Sequence, residues 1–257
     1  IPTVIAGRSP HIGWGISASY ADDQDLYAEE INQNDDEKYK SLDGWKTFRS
    51  EETVIKIKGA NSKKIQLKWS ENGPVLDKVT SQISDITPPN HEMAISWTML
   101  TPQDTSMTAL INLTYSKNIK TALNVLEGHV APSLNYTLID KENVALQLAG
   151  KLPKRGIDHN TQGRLPSFGY KEENRWRGYQ SYDTNPRIIN PEIGLIANTN
   201  NKILDELFPN HISYDWGDTQ RIARLTRLMD SRKLHTRESF IESQLDTISF
   251  PAKSLLP

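Results

Sequence analysis

A chain of 257 residues has room for one large domain or two small ones. Its 30 lysines and arginines against 32 aspartates and glutamates leave a net charge of −2, which gives neither nucleic acid nor an anionic membrane an electrostatic hold. The absence of cysteine excludes disulfides, thiolate zinc sites and thiol nucleophiles, and no apolar run approaches the ~18 residues of a membrane span.

Apolar residues make up 36% of the chain, a low share for a self-contained domain. Either much of the chain is surface or part of its core comes from elsewhere. The opening Ile1-Pro2-Thr3-Val4-Ile5-Ala6 has no basic region ahead of it and reads as a strand already under way, which implies a processed or cut start.

In chain order, Val4–Ala6 and Ile12–Ser17 read as short strands around a turn at Gly7–Pro10. Ala21–Asp25 is an acidic loop, Leu26–Ile31 a strand, and the charged run Asn32–Lys40 an exposed loop. Thr53–Lys58 and Lys64–Trp69 alternate with period two around Gly59–Ser62, the pattern of a hairpin. Asn72-Gly73-Pro74 marks a turn and Met93–Trp97 a short strand.

Helical spacing follows at Met107, Leu110, Ile111 and Thr114, with Asp104 or Thr105 as N-cap, and again over Lys120–Leu126. Asn135–Asp140 and Asn143–Leu148 read as strands about a Lys-Glu turn. The Gly-, Pro- and Arg-rich stretch Lys154–Asn190 reads as a long irregular excursion. Ile193–Asn198 reads as a strand, Asp218–Met229 as an amphipathic helix and Glu238–Leu245 as a last helix opened by Thr236. Strands, helices, strands and helices in that order predict an α+β layered fold.

The chemistry-bearing candidates are few. Asp22-Asp23-Gln24-Asp25 is either a solvated acidic turn or part of a site for a hard cation. Asn198-Thr199-Asn200-Asn201 is either a turn or a source of side-chain amides for an oxyanion. Arg221, Arg224 and Arg227 form a helical stripe that is either solvated or orients polar groups. Six dispersed histidines show no metal-ligand spacing, and no Gly-x-Ser-x-Gly elbow or phosphate-binding loop occurs.

Taken together in their order, these segments resemble the penicillin amidase family of N-terminal-nucleophile hydrolases. The resemblance runs through Trp14-Gly15-Ile16-Ser17-Ala18, Asp22-Asp23-Gln24-Asp25-Leu26-Tyr27-Ala28-Glu29 and Asn72-Gly73-Pro74. It continues through Asn135-Tyr136 to Asp140 and Asn143-Val144, Gly194 to Asn201, and Gln220-Arg221-Ile222, and so covers nearly the whole chain.

The resemblance implies a single stretch, 1–257, of a catalytic domain with part of a four-layer αββα sandwich. It implies hydrolysis of linear amides of N-acyl compounds, of the β-lactam side-chain or acyl-homoserine lactone type. An N-terminal Ser outside this chain would attack, with its own α-amino group as base. The oxyanion donors would be the backbone N–H of Ala18 and the side-chain amide of Asn200, with Arg221 orienting the site and Tyr136 lining the acyl pocket.

Calcium would be held by the Asp22 and Asp25 carboxylates and the Gln24 carbonyl. A further family aspartate corresponds to Asn210, which lacks the charge. Asn72 stands where the family has His. Partners would be a small amide substrate and the remaining segments of the same precursor, in a periplasmic or secreted protein. The chain alone would be catalytically silent. The alternatives are a non-catalytic binding or structural module of the same family and a stand-alone calcium-binding domain.

Overall fold

The computed structural model describes residues 3–77, 83–204 and 207–256. In chain order the strands are β1 (Gly7–Arg8), β2 (Gly13–Ala18), β3 (Gln24–Asn32), β4 (Asp35–Ser41), β5 (Gly44–Thr47), β6 (Arg49–Ile55), β7 (Lys63–Ser70), β8 (Gly73–Pro74), β9 (His91–Trp97), β10 (Leu134–Ile139), β11 (Val144–Ala149), β12 (Ser167–Phe168) and β13 (Arg187–Ile189). The helices are α1 (Ser106–Thr114), α2 (Ile119–Leu126), α3 (Gln220–Asp230), α4 (Arg237–Gln244) and α5 (Phe250–Leu255). The fold class is α+β, and the chain packs as two compact units, each assembled from separated stretches.

The first unit comprises Ile1–Ala21, Thr105–Gly150 and Tyr182–Pro257. Its sheet runs β1-β2-β10-β11-β13, with every pairing antiparallel. Period two sends Trp14, Tyr136 and Leu138 to one face, where they bury against Leu113 of α1 and Ile119, Ala122, Leu123 and Leu126 of α2. Each fully buried Leu contributes about 2 kcal/mol of apolar transfer, so this seam is the unit's main source of stability.

Local chemistry sets where its helices begin. Asn118 accepts from the Thr121 backbone while Thr121 reaches back to Asn118, a reciprocal cap on α2. The Asp140 carboxylate accepts from the backbone N–H of Ile119 (2.9 Å), Glu142 and Asn143 (2.8 Å), tying the start of α2 to the β10–β11 turn. Burial pushes the Asp140 pKa up, but these donors outweigh it and hold the carboxyl below its ordinary value. Thr105 occupies the N-cap position of α1, with its hydroxyl given to the Gly128 carbonyl at 2.6 Å. Thr236 caps α4 as the sequence predicts, with Ser239 reaching back to it, and α5 follows on a Ser249 cap.

The second unit comprises Asp22–Asp104 and Lys151–Ser181. Here β3 pairs in parallel with β12 and antiparallel with β9 and β4, and β4 continues to β5. A separate antiparallel sheet runs β6-β7-β8, which contains the expected hairpin. The turn into β8 requires glycine. Gly73 has φ +135°, and a Cβ there would overlap the Ile95 carbonyl.

Three sequence expectations are corrected. Val4–Ala6 is not a strand: the first strand, β1, is Gly7–Arg8, inside the expected turn. Asn32–Lys40 is not a loop: it holds the end of β3, a tight turn and β4. Its only aromatic, Tyr39, is buried at 4.6 Å from the Phe48 ring centroid, while its lysines and acids face out, as in the Lys40–Glu30 pair at 3.0 Å. One inward apolar residue is too little for alternation to show. Ile193–Asn198 is not a strand: its Leu195, Ile196 and Ala197 line an apolar cleft of about 430 Å³ with Leu138, Leu225, Met229 and Phe240. Among the described residues no helix is long and apolar enough to cross a membrane.

Candidate active site

Sheet parity places the site in the first unit. Trp14 and Tyr136 point to the helices, so Ser17 and its cross-strand neighbour Asn135 lie on the opposite side of β2 and β10. Ser17 donates its hydroxyl to the Oδ1 of Asn198. Asn198 Oδ1 also accepts from the backbone N–H of Asn200 at 3.2 Å. This is an Asx-type turn of the kind that favours the left-handed region, and Asn200 has φ +67°. The Asn200 carbonyl then accepts from the Gly217 N–H at 3.2 Å, and a Cβ on Gly217 would stand 2.7 Å from that carbonyl oxygen.

Arg221, in the first turn of α3, completes the arrangement. Both of its terminal nitrogens donate to Asn200 Oδ1, each at 3.1 Å. A guanidinium has only donors, so the carboxamide must turn its oxygen to Arg221 and its Nδ2 away from it. The Nδ2 donates to the Ala18 carbonyl at 2.9 Å, at the exposed end of β2. Ala18, Asn200 and Arg221, which lie far apart in the chain, therefore meet.

The other two arginines of the stripe are also engaged. Arg224 makes a fork to Asp246 at 2.9 and 2.6 Å, and Arg227 lies 4.3 Å over the Phe250 ring. The Arg224 bond outweighs the opposing effect of burial and holds the Asp246 carboxyl below its ordinary pKa. The stripe anchors α3 to the segment behind it and aims one guanidinium at Asn200. An open, donor-rich corner of this kind suits negative charge developing on a carbonyl oxygen.

Tyr136 lies elsewhere. It is fully buried in the core under α2, with its hydroxyl 3.4 Å from His129 Nδ1 and its pKa pushed up by burial. Its packing within this chain is that of a core residue.

Asn72 carries packing in the second unit. Its amide donates to Glu29 Oε1 at 2.9 Å, beside the Ser70 hydroxyl at 2.5 Å on the same oxygen. Glu29 is fully buried, and burial raises its pKa against the lowering effect of those two bonds.

The Asp22–Asp25 loop lies in the same unit. Arg155 donates from Nε to Asp25 Oδ2 and from Nη2 to Oδ1, both at 2.9 Å, and from Nη2 to the Asp22 carbonyl at 3.1 Å. The Trp176 indole N–H adds a bond to Asp25 Oδ2 at 2.5 Å. Both Asp25 oxygens thus carry donors. A calcium ion needs six to eight oxygens at about 2.3–2.6 Å, and this carboxylate does not fit that demand while the guanidinium stands against it. Among the described residues no group of three or more His, Cys, Asp or Glu side chains is placed to hold a metal. Asn210 donates its amide to the Thr184 carbonyl at 3.4 Å within its own unit.

The sequence assigns no role to Ser17, Gly217 or Arg155, and names Asn198 only as part of the Asn198–Asn201 turn. Asn198 is two residues before Asn200, the spacing of an Asx turn, and was legible in principle. Arg155 lies 130 residues from Asp25, and no local pattern links them.

The family model described as penicillin amidase matches residues 1–257. The acyl-homoserine lactone acylase QuiP of Pseudomonas aeruginosa is 25% identical over 98% of this chain, and penicillin G acylase of Escherichia coli is 22% identical over 90%. The chain spans only 30% and 26% of their respective lengths. The solved structure of a thermostable penicillin G acylase from Alcaligenes faecalis superposes with a TM-score of 0.80 at 22% identity, covering 94% of this chain and 42% of that one. The likeness extends the α+β assignment to a shared fold, and the match along the whole sequence shows that the chain belongs to the penicillin amidase family.

Proposed function

We propose that this chain is the oxyanion-stabilising part of an acylase that hydrolyses linear amides of N-acyl compounds, of the β-lactam side-chain or acyl-homoserine lactone type. The observation that carries the reading is the carboxamide of Asn200, fixed by Arg221 so that its Nδ2 faces the Ala18 backbone. When a nucleophile adds to an amide carbonyl, charge moves to the carbonyl oxygen. A preset side-chain amide and the Ala18 N–H stabilise that charge with little reorganisation. Arg221 polarises the amide through Oδ1 and makes Nδ2 a stronger donor.

The nucleophile is an N-terminal Ser supplied from outside these 257 residues, with its own amine as base. The working enzyme then needs the other segments of its precursor, and it acts in the periplasm or outside the cell. The Ala18 carbonyl that Nδ2 holds in this structure is the partner that the substrate oxygen displaces.

The test uses the full-length processed protein and chromogenic phenylacetyl and medium-chain acyl amides. Asn200→Ala is expected to lower kcat by about 10²–10³ with KM nearly unchanged. Wild-type turnover by Asn200→Ala would remove the proposal. The 257-residue chain on its own is expected to release no acid from the same amides.

A further inference from the structure

The Asp22–Asp25 segment faces a positive charge supplied by a distant residue of the same chain, Arg155. Asp25 is the second residue of β3, its side chain is 3% exposed, and the Arg155 side chain facing it is 6% exposed. The guanidinium uses its fork geometry: Nε and Nη2 take one carboxylate oxygen each, and Nη2 also reaches the Asp22 carbonyl. Trp176 closes the pair with its indole N–H.

Gly163 packs directly over the pair. A Cβ there would stand 2.7 Å from Arg155 Nε and 2.8 Å from Asp25 Oδ1. All of these groups belong to Asp22 just ahead of β3, to β3 itself and to the long irregular stretch after residue 150, within one compact unit.

We infer that the Arg155 guanidinium is the internal cation of this loop, standing where the family resemblance places calcium, and that the chain holds this region without a divalent metal. The physical argument is competition for the same lone pairs. A calcium ion on Asp25 needs the oxygens that Arg155 and Trp176 already bond, and it needs them at distances that put two positive charges side by side. A buried carboxylate needs one counter-charge, and here a covalently attached one supplies it with directed hydrogen bonds. The same contacts tie the stretch around residues 155–176 to the sheet, a task otherwise given to a metal bridge. The inference does not depend on the oxyanion reading of Asn200.

The experiment uses full-length protein purified without added metal. Elemental analysis after dialysis is expected to find no stoichiometric calcium, and the melting temperature is expected to be equal in millimolar calcium chloride and in chelator. A micromolar site would raise the melting temperature by several degrees under those conditions. Stoichiometric calcium, or a saturable rise in melting temperature, overturns the inference. Arg155→Met is expected to lower the melting temperature by on the order of 5 °C in both buffers, because it leaves Asp25 buried without its counter-charge. An unchanged melting temperature for that variant also overturns it. If Arg155→Met does not fold, the two wild-type measurements still decide.

Discussion

The two terminal nitrogens of Arg221 converge on one atom, the Oδ1 of Asn200, at 3.1 Å each. That convergence decides which way the carboxamide faces. Without it, the amide can flip and present oxygen where a donor is needed. Arg221→Met is therefore expected to lower kcat about tenfold to a hundredfold with a smaller change in KM. Arg221→Lys, which offers a single point charge, is expected to recover part of the loss. Equal KM and kcat effects, or none, would count against an orienting role.

Ser17 and Asn198 act on the same carboxamide from behind. Asn198 Oδ1 receives the Ser17 hydroxyl and the Asn200 N–H together, so it sets the left-handed turn on which Asn200 stands. Asn198→Ala removes the acceptor, while Asn198→Asp keeps it. The expected outcome is a kcat reduced by about tenfold in Asn198→Ala and largely restored in Asn198→Asp, with similar melting temperatures. If both variants lose activity in proportion to stability, the residue is only structural.

α2, the β10–β11 pair and α3 were legible because each has enough apolar residues at one period to face the core, whereas the β6–β7 hairpin was legible from its alternation and turn alone, since its strands stay largely exposed. β4 was not: Tyr39 is its single inward aromatic, and the strand is held by neighbours on both sides. The arginine stripe of α3 was visible as spacing, but its partners were not. Asn200 lies before the helix in the chain and Asp246 and Phe250 after it, and only folding shows that all three arginines are engaged. The ordered blocks identified Ala18, Asn200 and Arg221 as a group. They also carried over a metal role for Asp25 that its pairing with Arg155 argues against.

Gly73 makes a prediction about folding. Its φ of +135° lies where an L side chain is strained, and a Cβ would overlap the Ile95 carbonyl of β9. The Asn72 carbonyl just before it accepts from Ser96 at 2.5 Å, so the turn is locked onto β9 at that point. Gly73→Ala is expected to destabilise by on the order of 3 kcal/mol, read as a lower melting temperature and poor soluble yield. A change below about 1 kcal/mol would show that the turn can shift away from β9.

Glu29 sets a pH dependence. It is fully buried; Ser70 and Asn72 bond Oε1, while Oε2 accepts no hydrogen bond among the described residues. Burial first, with some help from the Glu71 charge, raises its pKa above the ordinary value despite those bonds. Below the unfolded pKa of about 4.3 both states hold the proton and no penalty arises. As pH rises from there, the unfolded chain releases its proton first, so stability falls until the folded-state pKa is passed. Glu29→Gln keeps an acceptor for Ser70 and Asn72 and removes the titration. Its melting temperature relative to wild type is expected to increase between pH 5 and pH 8, by roughly 3 °C at the upper end. The comparison is made as a difference between the two proteins at each pH, so groups that titrate alike in both cancel. A difference that stays flat or turns negative as pH rises means that the folded protein accommodates the Glu29 charge without penalty.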